Sequence, residues 1–115
     1  MVILDSIEKA RLAVKAAQDK KASEPVILKI KDLTVVADYF VICSGESRTQ
    51  VGAIVDYIEE RLSKAGETPR SIEGANYKNW VLIDYGDVIV HVFESETRYY
   101  YDLEKLWLDA PIIKV

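Results

Sequence analysis

The side chains best suited to chemistry are one histidine and one cysteine, His91 and Cys43. A zinc site at His91 would need Asp or Glu for its remaining ligands, since no second histidine exists, and such sites are uncommon. A histidine-dependent triad would need a nucleophile, and Cys43 ends an apolar run that predicts a buried strand. We therefore expect His91 to pack or to contact a partner, with no catalytic residue, metal or cofactor.

Two acids, Asp84 and Asp87, form the next candidate site. Paired acids can hold magnesium, usually together with phosphates, and Gly45 and Ser47 open a helix whose free amides could bind phosphate. A metal-dependent nucleotidyltransferase is therefore an alternative hypothesis, and it predicts magnesium-dependent nucleotide binding. Such enzymes place their two acids one residue apart on a strand, whereas here the acids frame a hairpin turn. Acids are common in turns for backbone reasons alone.

The aromatic residues of the last third are the most suggestive group: Trp80, Tyr85, Tyr99, Tyr100, Tyr101 and Trp107. Tryptophan and tyrosine are frequent anchors of protein interfaces. Successive helical residues point about 100° apart, so at least one of the three consecutive tyrosines should point away from the core. The alternative is that these rings cover the edge of the core with their hydroxyls in water.

The charge of the chain is acidic and unevenly distributed. A net charge of −4 and a pI near 5.0 disfavour a generally basic nucleic-acid binder. The stretch from Asp84 to Asp109 contains seven acidic residues and only two basic ones, Arg98 and Lys105, so its net charge is −5. This stretch could meet a basic partner surface, or it could be a solvated face that only aids solubility.

Length and cysteine content predict one domain spanning 1–115. A single cysteine cannot form an intrachain disulfide, which suits a reducing compartment. Charges near the N-terminus interrupt any signal-peptide core, and no apolar run approaches the roughly 20 residues of a membrane span. We expect a cytoplasmic protein with no membrane association.

The first half of the sequence predicts two helices and two strands. The first helix begins with a capping box, Asp5 and Glu8, and ends near Lys20-Lys21. Its apolar stripe consists of Ile3, Ile7, Ala10, Val14 and Ala17. After a break at 23–25 come a strand over 26–30, a turn with a brief helical piece over 32–38, and a strand over 39–43 covered on both faces.

The second helix has the clearest pattern. Ser47 and Gln50 have capping-box spacing, and Gly66 suits the C-terminal cap before Pro69. The apolar face consists of Val51, Ile54, Val55, Ile58 and Leu62.

The second half predicts an edge strand over 70–74 and a hairpin of strands 80–85 and 88–93. A two-residue loop at Gly86-Asp87 or a longer loop over 84–87 both fit. Either register places six residues on one sheet face: Trp80, Leu82, Asp84, Ile89, His91 and Phe93. The opposite face should be core: Val81, Ile83, Val88, Val90 and Val92. A helix over 97–107 and an irregular tail over 110–115 complete an α/β fold, a mixed β-sheet flanked by helices.

Three motifs between residues 38 and 107 together resemble one known family. The first is the strand D-Y-F-V-I-C-S-G over 38–45, and the second is W-V-L-I-D-Y-G-D-V-I-V-H-V-F over 80–93. The third runs from Arg98 to Trp107 and keeps the pattern R-x-x-Y-x-L-E-x-L-W. The middle motif is long and specific. The sequence thus resembles the ribosomal silencing factors of the Iojap family.

This resemblance implies a nucleotidyltransferase-like fold without catalytic acids, and a protein that is not an enzyme. It implies binding to the large ribosomal subunit through ribosomal protein uL-fourteen. Bound there, the protein would block the small subunit sterically and repress translation, notably in nutrient limitation or stationary phase.

The resemblance and the shared sheet face together give a predicted partner-binding site. Trp80 and Tyr101 would be aromatic anchors, and His91 would lie on the same face. Asp84 and Asp87 would supply charge or hold the turn. Arg98 would contact the partner or tie the last helix to an acid. A homodimeric scaffold, in which exposed aromatic residues pair between copies, is a further alternative.

Overall fold

A mixed sheet of six strands, with helices on its faces, forms the structure of the chain. The computed structural model describes residues 4–115. The helices are α1 (Ser6–Asp19), α2 (Arg48–Lys64), α3 (Ser95–Tyr101) and α4 (Leu103–Leu106). The strands are β1 (Ser23–Lys29), β2 (Tyr39–Gly45), β3 (Ser71–Glu73), β4 (Trp80–Asp84), β5 (Val88–Glu94) and β6 (Ile112–Ile113). The sheet order is β3-β4-β5-β2-β1-β6, with β2 and β5 parallel and the other pairs antiparallel.

Helix α1 begins as its sequence predicts. Glu8 N donates to Asp5 Oδ1 at 2.9 Å and Asp5 N donates to Glu8 Oε1 at 3.3 Å, which completes the capping box. Ala10, Val14 and Ala17 are buried and Ile7 is partly buried, whereas Ile3 lies outside the described residues. Since each cap supplies partners for helix-end amides, local sequence fixes this end of the helix.

Helix α2 confirms its predicted apolar face but only half of its predicted capping box. All five residues of the face are buried. Ser47 Oγ accepts from Gln50 N at 3.1 Å, yet Gln50 Oε1 accepts from Glu46 N at 2.7 Å and not from Ser47. The Gln50 amide nitrogen also donates to the carbonyls of Lys20 and Lys21, which draws the side chain towards the end of α1.

The hairpin of β4 and β5 adopts the shorter of the two predicted loops. Tyr85 N donates to Val88 O at 2.9 Å, and Gly86 has a φ of 90°. Glycine tolerates this conformation at the first position of a type II′ turn. The register pairs Trp80 with Phe93, Leu82 with His91, and Asp84 with Ile89, which confirms the predicted shared face.

The two sheet faces are covered differently. Helices α1 and α2 cover one face, where the predicted core residues of β4 and β5 are almost fully buried. The other face is covered by Ala37 and by Leu103, Trp107 and Ala110. Trp80 and Leu82 at the β4 side of this second face remain only partly buried. This partly open region is where a partner can reach the sheet.

The secondary structure predicted for four segments is wrong. Residues 23–25 belong to β1, which accommodates them through an irregular register, and 32–38 form turns and bends without a helix. The single helix predicted over 97–107 is broken at Asp102, whose φ of 47° is left-handed. The tail is not irregular throughout, because Ile112 and Ile113 pair with β1. The strand residues at 23–25 and 112–113 depend on pairing with distant segments, which local patterns do not encode. No helix in the part of the chain described could cross a membrane.

Candidate interaction site on the open sheet face

Trp80 and His91 form the centre of the site. They lie on neighbouring strands, with His91 two residues before Phe93, the direct partner of Trp80, and Trp80 Nε1 donates to His91 Nδ1 at 3.1 Å. Because Nδ1 accepts this hydrogen bond, the proton of a neutral imidazole is on Nε2. The bond satisfies the only polar group of the indole from inside the protein and leaves an apolar ring for an outside contact.

His91 is almost completely buried, with 4% of its surface exposed. Phe40 meets its ring edge-on at a centroid distance of 4.8 Å, and Phe93 stacks at 6.2 Å. Burial among these rings lowers the pKa of His91 from 6.5 to about 4, since desolvation penalises the charged form. Among the described residues, His91 Nε2 has no hydrogen-bond partner. The imidazole is therefore neutral at physiological pH and faces inward.

The exposed part of the site consists of Trp80, Leu82 and Tyr101, which we call the aromatic face. Trp80 and Leu82 are half-buried, and Tyr101 is 53% exposed. The Trp80 ring lies 5.1 Å from that of Tyr101 and stacks on Phe93 at 4.8 Å. Packed rings lose little further conformational entropy on binding, so this face is a preorganised apolar surface.

Arg98 is buried beneath α3 and makes four hydrogen bonds. Its Nε and one terminal nitrogen donate to the two carboxylate oxygens of Glu104 at 3.0 and 3.2 Å. The other terminal nitrogen donates to Ser23 O and to Ser44 Oγ, each at 3.2 Å. The bidentate pair with Glu104 joins α3 to α4. The bonds to Ser23 and Ser44 connect α3 to β1 and β2. The geometry agrees with the structural role that the sequence left open for Arg98.

Asp84 and Asp87 both have partners within the protein. Asp84 Oδ1 accepts from Gly86 N at 2.7 Å, which holds the hairpin turn. Asp87 Oδ1 lies 2.8 Å from Lys9 Nζ, and Glu67 lies 2.6 Å from the same nitrogen. Burial alone would lower the pKa of Lys9, but hydrogen bonds and charges from Asp87 and Glu67 outweigh it and raise that pKa. The two acids thus organise the turn end of the hairpin.

The groups of the alternative enzyme hypothesis are likewise engaged in structure. Ser47 caps α2, and Gly45 lies at the buried end of β2, where a Cβ would lie 3.2 Å from Val51 N. Burial raises the pKa of the Cys43 thiol to about 12, despite the opposing charge of Arg98, so it remains protonated and is no nucleophile. No group of three or more possible metal-ligating side chains occurs among residues 4–115.

The sequence interpretation missed Lys9, which is 6% exposed and links α1 to the hairpin turn. A signal was available, because Lys9 lies four residues before Ala13 and seven before Ala16, on a buried side of α1. It also missed Phe40 as the edge-on neighbour of both His91 and Trp107. Pairing of β2 with β5 brings Phe40 to His91, and the packing of the segment after α4 brings Trp107 to Phe40.

The sequence matches, over residues 3–115, the family described as RsfS, ribosomal silencing factor during starvation. The chain belongs to this family. It is 45% identical to the ribosomal silencing factor RsfS of Halalkalibacterium halodurans, covering 94% of this chain and 92% of that protein. It is 30% identical to the mouse protein named mitochondrial assembly of ribosomal large subunit protein 1, covering 84% of this chain and 43% of that protein.

The fold is also shared with a solved structure. A crystal structure of protein CV0518 from Chromobacterium violaceum superposes with a TM-score of 0.88 at 35% identity, covering 90% of this chain and 87% of that one. These matches confirm the predicted family and the α/β fold. The family consists of ribosome-associated regulators and not of enzymes, which also confirms the prediction that the chain is not an enzyme.

Proposed function

We propose that this protein is a ribosomal silencing factor that acts in the cytoplasm by binding the large ribosomal subunit. The observation that carries this proposal is the family match across 3–115, which includes every residue of the aromatic face. The name of the mouse relative refers to the large ribosomal subunit and supports the choice of that subunit.

The contact within the large subunit is proposed to be ribosomal protein uL-fourteen. An aromatic surface in an acidic stretch suits a basic partner, because complementary charge speeds encounter and favours the correct orientation. Trp80 and Tyr101 would supply the buried apolar contacts of such an interface. Once bound, the protein would block the small subunit by occupying its docking surface. This mechanism requires affinity and bulk but no chemistry.

The six predicted site residues then divide into three pairs with different roles. Trp80 and Tyr101 are exposed enough to touch a partner. His91 and Arg98 are 4% and 7% exposed and act by positioning, His91 beneath the indole and Arg98 beneath α3. Asp84 and Asp87 are half-buried and hold the turn, with surface left for an outside contact.

The decisive experiment is co-sedimentation of the purified protein with separated large and small ribosomal subunits. Tyr101→Ala and Trp80→Ala remove the two anchors, and Tyr77→Ala is a matched control because Tyr77 is 74% exposed outside the aromatic face. We expect binding to large subunits only, weakened about tenfold or more by either anchor variant, as for interface hot spots. Tyr77→Ala should bind as the wild type does.

The finer parts of the proposal need two further measurements. Purified uL-fourteen should capture the wild type but not Tyr101→Ala, and added protein should reduce joined ribosomes in a gradient. Far-UV circular dichroism confirms that each variant is folded. Binding to neither subunit would refute the silencing function, and binding that is unaffected by both anchor variants would refute the assignment of the face.

Self-association is a second hypothesis, favoured by the exposure of Tyr99, Tyr100, Leu106 and Leu108, each at least 75% exposed. A dimer that covers the aromatic face would be a storage form unable to bind the ribosome. Sedimentation velocity over a dilution series tests it: a monomer at all concentrations would exclude it, and ribosome binding that improves on dilution would support it.

A further inference from the structure

An open groove of about 820 Å³ lies where the carboxyl ends of β2 and β5 meet α3 and α4. This volume is within the range of ligand-binding clefts, roughly 300–1,000 Å³. Its lining includes Ser44 and Arg98 among the buried residues, and Tyr99, Tyr100, Tyr101 and Leu106 among the exposed ones. The groove is distinct from the aromatic face but shares Tyr101 with it.

The charges of the groove favour a cation. Arg98 is its buried cation, but the bidentate contact with Glu104 neutralises that charge, and the hydrogen bonds to Glu104, Ser23 and Ser44 use four of its five N–H donors. At the rim, Glu24 and Asp102 are exposed and are opposed only by Lys105 among the lining residues that the structure describes. An anionic ligand such as a nucleic-acid strand would meet these unpaired carboxylates. A cationic ligand would be attracted by them.

The tyrosines select the type of cation. Tyr99, Tyr100 and Tyr101 are 89%, 80% and 53% exposed, so none of them is a core residue. Guanidinium groups stack on aromatic faces more readily than ammonium groups do, because they are planar and weakly hydrated. A run of three exposed rings beside two free carboxylates matches side chains of arginine spaced along an extended chain.

We propose that this groove docks an extended, arginine-rich segment of a partner protein. The groove continues into the aromatic face, since the Tyr100 ring lies 5.2 Å from that of Tyr101 and Tyr101 in turn lies 5.1 Å from Trp80. A partner bound on the aromatic face can therefore extend a basic segment into the groove. The proposal goes beyond the ribosomal function and can be tested without a ribosome.

The test is fluorescence anisotropy with labelled ten-residue peptides and the full chain. The probes are alternating Arg-Gly, Lys-Gly and Glu-Gly peptides, with a ten-nucleotide oligouridine as the nucleic-acid probe. We expect the Arg-Gly peptide to bind about fivefold or more tighter than Lys-Gly, since only guanidinium stacks well, and Glu-Gly and oligouridine not to bind. The affinity for Arg-Gly should fall as salt screens the rim carboxylates.

The variants separate ring stacking from general charge attraction. The double variant Tyr99→Ala/Tyr100→Ala should weaken Arg-Gly binding by about tenfold, from two cation–π contacts. Tyr99→Phe/Tyr100→Phe should keep it, because the ring faces remain. The control Tyr77→Ala removes an exposed tyrosine that does not line the groove and should leave Arg-Gly binding unchanged. Asp102→Asn, which asparagine's tolerance of the left-handed backbone permits, should weaken binding and reduce its dependence on salt.

Any one of the following results would overturn the proposal. They are equal affinity for Arg-Gly and Lys-Gly, unchanged binding by the alanine double variant, loss of binding in the phenylalanine double variant, and preferential binding of oligouridine. Absence of peptide binding at millimolar concentration would overturn it as well. None of these results bears on co-sedimentation with ribosomal subunits, so failure here and failure of the silencing function are distinguishable.

Discussion

The buried imidazole of His91 should make the stability of the protein depend on pH above the range where carboxylates titrate. Its pKa is lowered from 6.5 to about 4 by burial among aromatic rings. Between these two pH values the unfolded chain takes up a proton at His91 and the folded protein does not. The neutral imidazole therefore makes its full contribution to the free energy of unfolding above pH 6.5. This contribution is lost as the pH falls towards 4.

The size of the effect follows from the two pKa values. Each tenfold difference in proton affinity changes the free energy of unfolding by about 1.4 kcal/mol. The difference in pKa therefore lowers the free energy of unfolding by about 3 kcal/mol in total, and by about 2.5 kcal/mol at about pH 4.5. This is a large share of the roughly 5–15 kcal/mol that stabilises a typical domain. Protonation in the folded state would also place a donor on Nδ1, opposite the Trp80 Nε1 donor, so the indole should lose its hydrogen-bond acceptor only as the pH falls to about 4 and below.

The perturbation that isolates this effect is His91→Asn. Asparagine offers an oxygen close to the position of Nδ1, keeps an acceptor for Trp80 and does not titrate. Urea unfolding of wild type and variant, followed by tryptophan fluorescence at several values between about pH 7.5 and about pH 4.5, gives both curves of unfolding free energy. The variant should be less stable at neutral pH, because it is smaller than the imidazole. The wild type should then lose about 2.5 kcal/mol more than the variant on acidification.

Parallel pH curves for the two proteins would refute this reasoning. A direct check is also available, because His91 is the only histidine in the sequence. Its imidazole resonances can be assigned without ambiguity and titrated by NMR. A measured pKa at or above 6.5 would mean that the ring is not buried as a neutral acceptor.

Three further substitutions test the supports around the site. Arg98→Met leaves Glu104 without its partner and should lower the free energy of unfolding by about 3 kcal/mol; a loss below about 1 kcal/mol in urea unfolding would show that the buried pair is dispensable. Lys9→Met leaves Glu67 and Asp87 facing each other and should cost about 2–3 kcal/mol, whereas the exposed control Lys15→Met should stay within about 0.5 kcal/mol. Gly74→Ala should lower the thermal unfolding midpoint and disturb the Trp80 fluorescence, because φ is 83° and a Cβ would collide with Trp80 O. Its control, Gly66→Ala, has a similar φ of 88° but open space around it and should cost only about 1–2 kcal/mol; equal losses in the two alanine variants would argue against the collision.

Elements whose patterns are local could be predicted from the amino-acid sequence. The period of two in the hairpin strands fixed which residues share the face of Trp80 and His91, since alternation is a property of any extended strand. The caps of α1 and the apolar face of α2 were predictable for the same reason. The three-tyrosine run had to leave a ring exposed, and all three are exposed. The family was recognisable from linear motifs.

What those residues do depends on how distant segments pack. Parallel pairing of β2 with β5 brings Phe40 beside His91. Because neighbouring rings cover His91, this predicted site residue is buried and supports the Trp80 ring. Arg98 pairs with Glu104 across the break between α3 and α4 at Asp102, which the helical period over 97–107 does not reveal. Lys9 meets Asp87 across 78 positions of sequence separation. Burial and charge pairing depend on which distant segments pack together, and no local pattern contains that information.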